Sequence, residues 1–301
     1  MAAGFAAAMR PEELQIVVNV GDDFVFCGLH ISPDLDTVVY TLAGAHDVQR
    51  GWGLRDETWI ASRRMAELGG PSWFQLGDRD IATHLARTAL LSEGQSLSAV
   101  TAKFRQACGV VHQVVPVTDM SVRTQIRTDA ALLDFQDYFV RLRAEPLARE
   151  ILYSGAENAS LTPQVQECLE GKRLEAVIFA PSNPWLSIAP MLATGEMKAR
   201  LAKLKVPIVA ISPIVAGRAI KGPAAKIMKE LGYEVSAFGV AQYYSGLITH
   251  FVIDGRDIDL SDRIEALGIQ VFVTDIMIPS IEAQRRLADE LLALVPATIH
   301  I

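Results

Sequence analysis

Ala176-Val-Ile-Phe-Ala-Pro-Ser-Asn-Pro184 decides the fold. Five apolar residues run without alternation and stop at a proline-flanked Ser-Asn pair. A strand wet on one face would alternate, so this one is expected to be covered on both faces. The pattern repeats in Pro207-Ile-Val-Ala-Ile211, Phe251-Val-Ile253 and Gln270-Val-Phe-Val273. Those runs end in Ser-Pro-Ile, Asp-Gly and Thr-Asp, and helical segments separate them. Continuous apolar strands alternating with helices predict an α/β fold with a mostly parallel sheet. Ligands of such sheets sit beyond the carboxyl ends of the strands. An earlier run, Gln15-Ile-Val-Val-Asn-Val20, ends in Gly-Asp-Asp and is expected to deliver those acids to the same rim.

Half of the 301 residues are apolar and 21% are charged, the mixture of a well-cored globular chain. The net charge of −7 speaks against a nucleic-acid partner, which would select a basic surface. Cys27, Cys108 and Cys168 are too few and too scattered for a disulfide framework or a zinc site. Buried free thiols in a reducing cytoplasm are expected. No apolar run reaches the roughly 18 residues of a membrane helix, and no membrane association is expected. Met1–Met9 is apolar but lacks a basic flank, so it reads as a helix and not as a signal peptide.

Farther along, Pro33 to Ala45 predicts a helix with Ser32 as N-cap and Pro33 at its first position. Helical periodicity recurs over 56–68, 80–92 and 96–108, followed by short strand candidates at 111–115, 122–128 and 132–135 in a small antiparallel piece. The α/β core is therefore assigned to 1–45 and 171–301, and 46–170 to a mostly helical insertion with a small β element. A helix precedes the first visible strand, so the first strand and its turn read as missing.

The chemistry-bearing residues gather at the strand exits. Asp22, Asp23, Asp34 and Asp36 fall within fifteen residues, a set able to hold a hard cation against a phosphate. Asp34 and Asp36 cannot share a helix face at a spacing of two, so one is expected to face the cleft while the other braces. Asp34 as an ordinary N-terminal acid is the alternative. In Gln75-Leu-Gly-Asp-Arg-Asp-Ile-Ala-Thr-His84, Asp78 can cap the next helix. Arg79 opposes that helix dipole, so a planar ligand contact is one reading and a surface ion pair the other. Ser182 with Asn183, and Ser212 before Pro213, open turns whose backbone N–H groups suit an anion, although plain N-capping explains them too. Lys221 and Lys226 flank a small-residue turn nearby. The segment 134–146 reads as an amphipathic helix packing Phe135 and Phe139 inward. No G-x-G-x-x-G follows a strand, which disfavours a dehydrogenase.

Seven stretches occur in one order: Val18-Asn-Val-Gly-Asp-Asp-Phe24, His30-Ile-Ser-Pro-Asp-Leu-Asp-Thr37, Arg50-Gly-Trp-Gly53, Trp73-Phe-Gln-Leu-Gly-Asp-Arg-Asp80, Phe135-Gln-Asp-Tyr-Phe139, Ala180-Pro-Ser-Asn-Pro184 and Ser212-Pro-Ile214. Together they closely resemble the 2-phospho-L-lactate transferase family of coenzyme F420 biosynthesis. The resemblance implies a Rossmann-like sheet with a helical insertion. It also implies Mg²⁺ dependence, a homodimer, and transfer of a phospho-three-carbon acid (lactyl, enolpyruvyl or glyceryl) from a guanosine diphosphate donor. The acceptor would be the ribityl hydroxyl of hydroxy-deazariboflavin (Fo), with GMP released. By motif, Asp36 and Arg79 are similar to the family's deazaflavin contacts, and Asp22 and Asp23 to its acidic strand exit. Catalysis is accordingly expected from Asp36, Asp22 and Asp23, metal binding from Asp22 and Asp34, and donor binding from Asn19, Ser182, Asn183 and Ser212. Asp36→Ala is expected to abolish transfer and leave the fold intact. The family's opening Gly-Gly-x-Gly-Gly turn has no counterpart here; a start assigned too late is the preferred explanation, and a non-catalytic deazaflavin or nucleotide binder that lost the turn is the competing reading.

Overall fold

The computed structural model describes residues 1–298. The chain opens with α1 (Ala2–Ala8), then β1 (Gln15–Val18), β2 (Phe24–Phe26), β3 (Leu29–Ile31) and α2 (Pro33–Leu42). Three further helices follow: α3 (Ile60–Glu67), α4 (Asp78–Ser92) and α5 (Leu97–Ala107). Next come β4 (Gln113–Pro116), β5 (Arg123–Arg127), β6 (Leu132–Asp134), β7 (Glu150–Ser154) and α6 (Pro163–Glu170). The remainder alternates: β8 (Val177–Phe179), α7 (Ala189–Ala193), α8 (Met197–Leu201), β9 (Ile208–Ile211), the pair β10 (Ile214–Val215) and β11 (Arg218–Ala219), α9 (Ala224–Glu230), α10 (Ala237–Tyr244), β12 (His250–Asp254), α11 (Ser261–Glu265), β13 (Gln270–Thr274) and α12 (Ile281–Thr298).

The four apolar runs form one parallel sheet in the order β13-β12-β9-β8. Its two central strands are buried along their whole length. Successive side chains point to opposite faces, and both faces are covered. Ile208, Ala210, Phe251 and Ile253 join the larger core. Val209, Ile211 and Val252 pack against Phe5 of α1 and Leu287 and Leu291 of α12. Both sets must be apolar, which is why the runs do not alternate. Each fully buried aromatic or aliphatic side chain there contributes roughly 1.5–3 kcal/mol. α1 lies close on α12 because Gly4 has no Cβ, which would otherwise meet the Gln284 carbonyl. No described helix is long and apolar enough to cross a membrane.

Elsewhere the structure departs from the sequence reading. β1 is not a strand of the four-stranded sheet; it pairs in parallel with β4, in register from Gln15↔Gln113 to Val18↔Pro116. The 111–115 segment therefore belongs beside the acidic strand exit, not in an antiparallel piece. The antiparallel piece is β6-β5-β7, completed by a strand the sequence did not signal. Phe24–Ile31, a stretch for which the sequence reading names no element, is a hairpin closed by Cys27 and Gly28, both at positive φ (50° and 79°). That turn geometry matches strand twist, but Cys-Gly is not the usual Asn-Gly signal. Cys27 and Cys108 are exposed, contrary to the expected burial. Residues 137–141 form a short π-helix, with Tyr138 fully buried and Phe139 exposed and stacked on Phe135 at 5.3 Å.

Candidate active site

The acids at the end of β1 are held by a tight turn. Asn19 Oδ1 accepts the Gly21 amide at 2.8 Å, and Asp23 N donates back to the Val20 carbonyl at 3.1 Å. The Gly21 carbonyl accepts the Thr124 amide at 2.8 Å, which docks β5 on the turn. Only glycine fits, because a Cβ would meet Thr124 Oγ1 at 2.5 Å and Pro190 Cβ at 2.8 Å. Gln136 Nε2 donates to the Asp22 carbonyl at 3.1 Å and fixes the turn from the other side.

Asn19 Nδ2 donates to Asp22 Oδ1 at 3.2 Å and to Asp34 Oδ2 at 2.9 Å. One neutral amide thus serves two carboxylates from different elements. Burial raises the Asp22 carboxyl well above its ordinary range, with the Asp34 charge adding to it. Burial likewise pushes Asp34 up to about 6, although Asn19 pulls it down. These are hard oxygen donors with more negative charge than their surroundings balance. A divalent cation fits them on donor chemistry and on charge.

Asp23 is 2% exposed. Its Oδ2 accepts the Ser32 hydroxyl at 2.7 Å and faces His30 Nε2 at 3.2 Å. Its Oδ1 has no hydrogen-bond partner among the described residues. Ser32, expected as a helix cap, makes no side-chain cap and instead braces this acid.

Asp36 faces away from Asp34, as its spacing requires, into a buried network. Both of its oxygens accept from the Arg87 guanidinium, with Nη1 at 3.0 Å and Nη2 closer still. Arg87 also donates from Nη1 to His84 Nδ1 at 3.1 Å. His84 Nε2 lies 3.5 Å from Asp80, whose other oxygen accepts the Tyr40 hydroxyl at 2.8 Å. Burial raises the Asp36 carboxyl despite its arginine partner. Burial also opposes ionisation of Asp80, but His84, Tyr40 and Arg87 outweigh it and hold that carboxyl below its ordinary value. Asp36, Asp80 and His84 could be mistaken for a metal site, since their donor atoms lie within 4.8 Å. The Arg87 charge already occupies that cluster. Arg87 was not singled out from the sequence; its only signal was a helix position three residues after His84.

Asp78 does not cap its own helix. Its carboxylate accepts Ile60 N at 3.0 Å and Ala61 N at 2.9 Å, capping α3, while Glu57 accepts Arg79 N and Asp80 N at 2.9 Å each, capping α4. The exchange locks the two helices head to head. Arg79 is exposed, and its Nη1 holds the Arg55 carbonyl at 2.9 Å. It does not touch Asp36.

Of the donor-side candidates, Asn183 caps the turn after β8 through Trp185 N and Leu186 N at 3.0 and 3.2 Å, while its Nδ2 is buried without a partner among the described residues. Ser182 stands beside it, half-buried. Ser212 is fully buried, and its hydroxyl is spent inside its own turn, donating to the Ile214 carbonyl at 2.7 Å. It presents no hydroxyl to a ligand. Lys226, at one end of the small-residue turn, donates to the Pro146 carbonyl at 2.8 Å and pairs with Glu230, so it anchors the 134–146 segment.

Gly21, Asp22 and Asp23 line a cleft of about 350 Å³ together with Phe24, Trp73, Arg123, Thr124 and residues 134–137. Phe24, Phe26, Trp73 and Phe74 interlock, with Phe24 edge-on to Phe74 at 4.8 Å and Phe26 edge-on to Trp73 at 5.4 Å. An aromatic wall thus stands over an acidic floor. Neither Asp36 nor Arg79 lines that cleft.

A family model described as 2-phospho-L-lactate transferase CofD matches residues 1–277. A 2-phospho-L-lactate transferase of Methanosarcina mazei is 38% identical over 286 residues, covering 95% of this chain and 93% of that protein. A phosphoenolpyruvate transferase of Streptomyces avermitilis is 37% identical over 297 residues, covering 97% and 92%. A Bacillus halodurans protein of known crystal structure aligns over 96% of both chains with a TM-score of 0.58 at 11% identity, a likeness of fold alone.

Proposed function

The chain belongs to the 2-phospho-L-lactate transferase CofD family, and on that premise we propose that it transfers a phospho-three-carbon acid from a guanosine diphosphate donor to the ribityl hydroxyl of hydroxy-deazariboflavin, releasing GMP. This places it in the biosynthesis of coenzyme F420. The observation that carries the reading is the sharing of the Asn19 amide by Asp22 and Asp34, with Asp22 itself lining an aromatic-walled cleft. Asp22 and Asp34 are the residues that would hold Mg²⁺. Bound there, the cation would neutralise diphosphate charge, the main demand of phosphoryl transfer.

The remaining roles fall to side chains of the chain itself. Trp73 and Phe24 give a flat heterocycle a surface to lie on. Asp23, which lines the cleft, is assigned to orient the attacking hydroxyl and take its proton. The hydroxyl oxygen forms the new bond to phosphorus, and the bridging bond to GMP breaks. Ser32 and His30 hold Asp23 in place for that transfer. Ser182 and the Asn183 amide at the end of β8 are assigned to the nucleotide phosphates. Asp36 acts with Arg87 as a brace that sets the start of α2, and hence Asp34, against α4. Arg79, exposed at the start of α4, is assigned to the acceptor.

The test is a product mass measurement after incubating the protein with hydroxy-deazariboflavin, Mg²⁺ and each guanylated lactyl, enolpyruvyl or glyceryl donor. A phosphodiester product with one of them is expected. No phosphodiester with any donor would remove the reading.

A further inference from the structure

The cleft carries four lining carboxylates, Asp22, Asp23, Asp134 and Asp137, and one lining cation among the described residues, Arg123. The other arginines around this sheet are spent: Arg127 pairs with Glu150 at 2.7 Å and Arg149 with Asp129 at 2.8 Å. Arg123 makes no ion pair among the described residues, and its Nη1 donates only to the Val122 carbonyl next to it, at 2.9 Å. Asp134, its neighbour in the cleft wall, is taken up by the neutral amide of Gln125 at 2.9 Å. The position of Arg123 is fixed, because the next residue, Thr124, bonds through its amide to Gly21 in the acidic turn. A guanidinium with no ion pair among the described residues is thereby held in the wall of a cleft whose other charges are negative.

An anionic substrate can enter such a cleft only where cations meet its charges. We propose that Arg123 binds the carboxylate of the three-carbon acid carried by the donor and so selects an acid over a neutral group at that position. The assignment deepens the transferase reading above and rests on it. There the diphosphate charge would be met by the cation that Asp22 and Asp34 hold, and the carboxylate is the anionic group left over. A planar guanidinium matches a carboxylate with two parallel hydrogen bonds, which a lysine would not reproduce.

Calorimetric binding in Mg²⁺ tests this without requiring turnover. Two ligands are compared: the guanylated three-carbon acid, and its analogue with a carboxamide in place of the carboxylate. Wild type is expected to bind the acid about 10- to 100-fold more tightly than the carboxamide. Arg123→Met should bind both equally, at the wild-type carboxamide level, and Arg123→Lys should regain part of the preference. An unchanged thermal midpoint shows that the variants are folded. A wild type with no preference, or an Arg123→Met variant that keeps it, overturns the assignment. The transferase reading is judged separately by product mass, so phosphodiester formed by a protein indifferent to the carboxylate would sink only the role of Arg123.

Discussion

Asp34 on α2 and Asp22 at the exit of β1 are joined through one amide group, Asn19 Nδ2, at 2.9 and 3.2 Å. Two acids brought together from separate elements, with a single neutral donor between them, repel each other when both are ionised. That repulsion is tolerated if a cation binds, and it gives the site a pH signature.

Both carboxyls hold their protons more tightly in the folded chain than in the unfolded one, because burial disfavours their charge. The stability linked to those protons is complete below an unfolded carboxyl pKa of about 4 and is lost as pH rises through about 6, the raised value of Asp34. Without metal, Asp34→Asn should therefore be more stable than wild type at neutral pH, by roughly 1–3 kcal/mol. Mg²⁺ should raise the wild-type thermal midpoint more at about pH 7.5 than at about pH 5, and should do little for the variant. Scanning calorimetry at both pH values decides; a Mg²⁺ effect independent of pH would exclude this pair as the site.

Asp36→Ala should not leave the fold intact, in contrast to what the motif alone suggested. It strands the Arg87 charge, which is only 2% exposed, and breaking such a pair costs about 3–5 kcal/mol. Urea unfolding should show that loss, and Arg87→Met should show a loss of similar size. If Asp36→Ala unfolds at the wild-type denaturant midpoint but fails to turn over, Asp36 contacts substrate directly.

Arg79→Ala should behave in the opposite way. The side chain is exposed and its one hydrogen-bond partner among the described residues is a carbonyl, so stability should move by less than about 0.5 kcal/mol. The KM for the deazaflavin should rise roughly 10-fold or more, as expected on losing a charged hydrogen bond. A lowered thermal midpoint with unchanged KM would make Arg79 structural.

Gly21→Ala inserts a methyl group where Thr124 Oγ1 lies at 2.5 Å. The turn and β5 must part, at a cost of about 1–3 kcal/mol. Because Arg123 travels with β5, donor affinity should fall alongside stability. Equilibrium unfolding and donor titration on the same variant check both halves.

The parallel sheet was legible because burial on two faces leaves an unmistakable mark: unbroken apolar runs such as Pro207–Ile211. The divergence of Asp34 and Asp36 followed from helix geometry alone. What stayed hidden depended on contacts between residues far apart in sequence. β4 looks like any short apolar strand, and nothing in Gln113–Pro116 says that its partner is β1, a hundred residues earlier. Arg87 resembles a surface arginine until α2 delivers Asp36 to it across 51 residues. Asp78 and Glu57 exchange helix ends, a pairing invisible to a cap search that looks only at the helix each residue begins. Ser212 carried a plausible strand-end signal, and its hydroxyl turned out to be consumed by its own turn.

The most direct measurement follows phosphodiester and GMP by mass spectrometry when wild type and Asp34→Asn are each given hydroxy-deazariboflavin and the guanylated acids, with and without Mg²⁺. Wild type should form both products only with the metal, and Asp34→Asn should be slower by about 100-fold or more, a few kcal/mol of lost transition-state stabilisation. Full-rate transfer by Asp34→Asn, or metal-independent transfer by wild type, would contradict a cation-holding role for the Asp22–Asp34 pair.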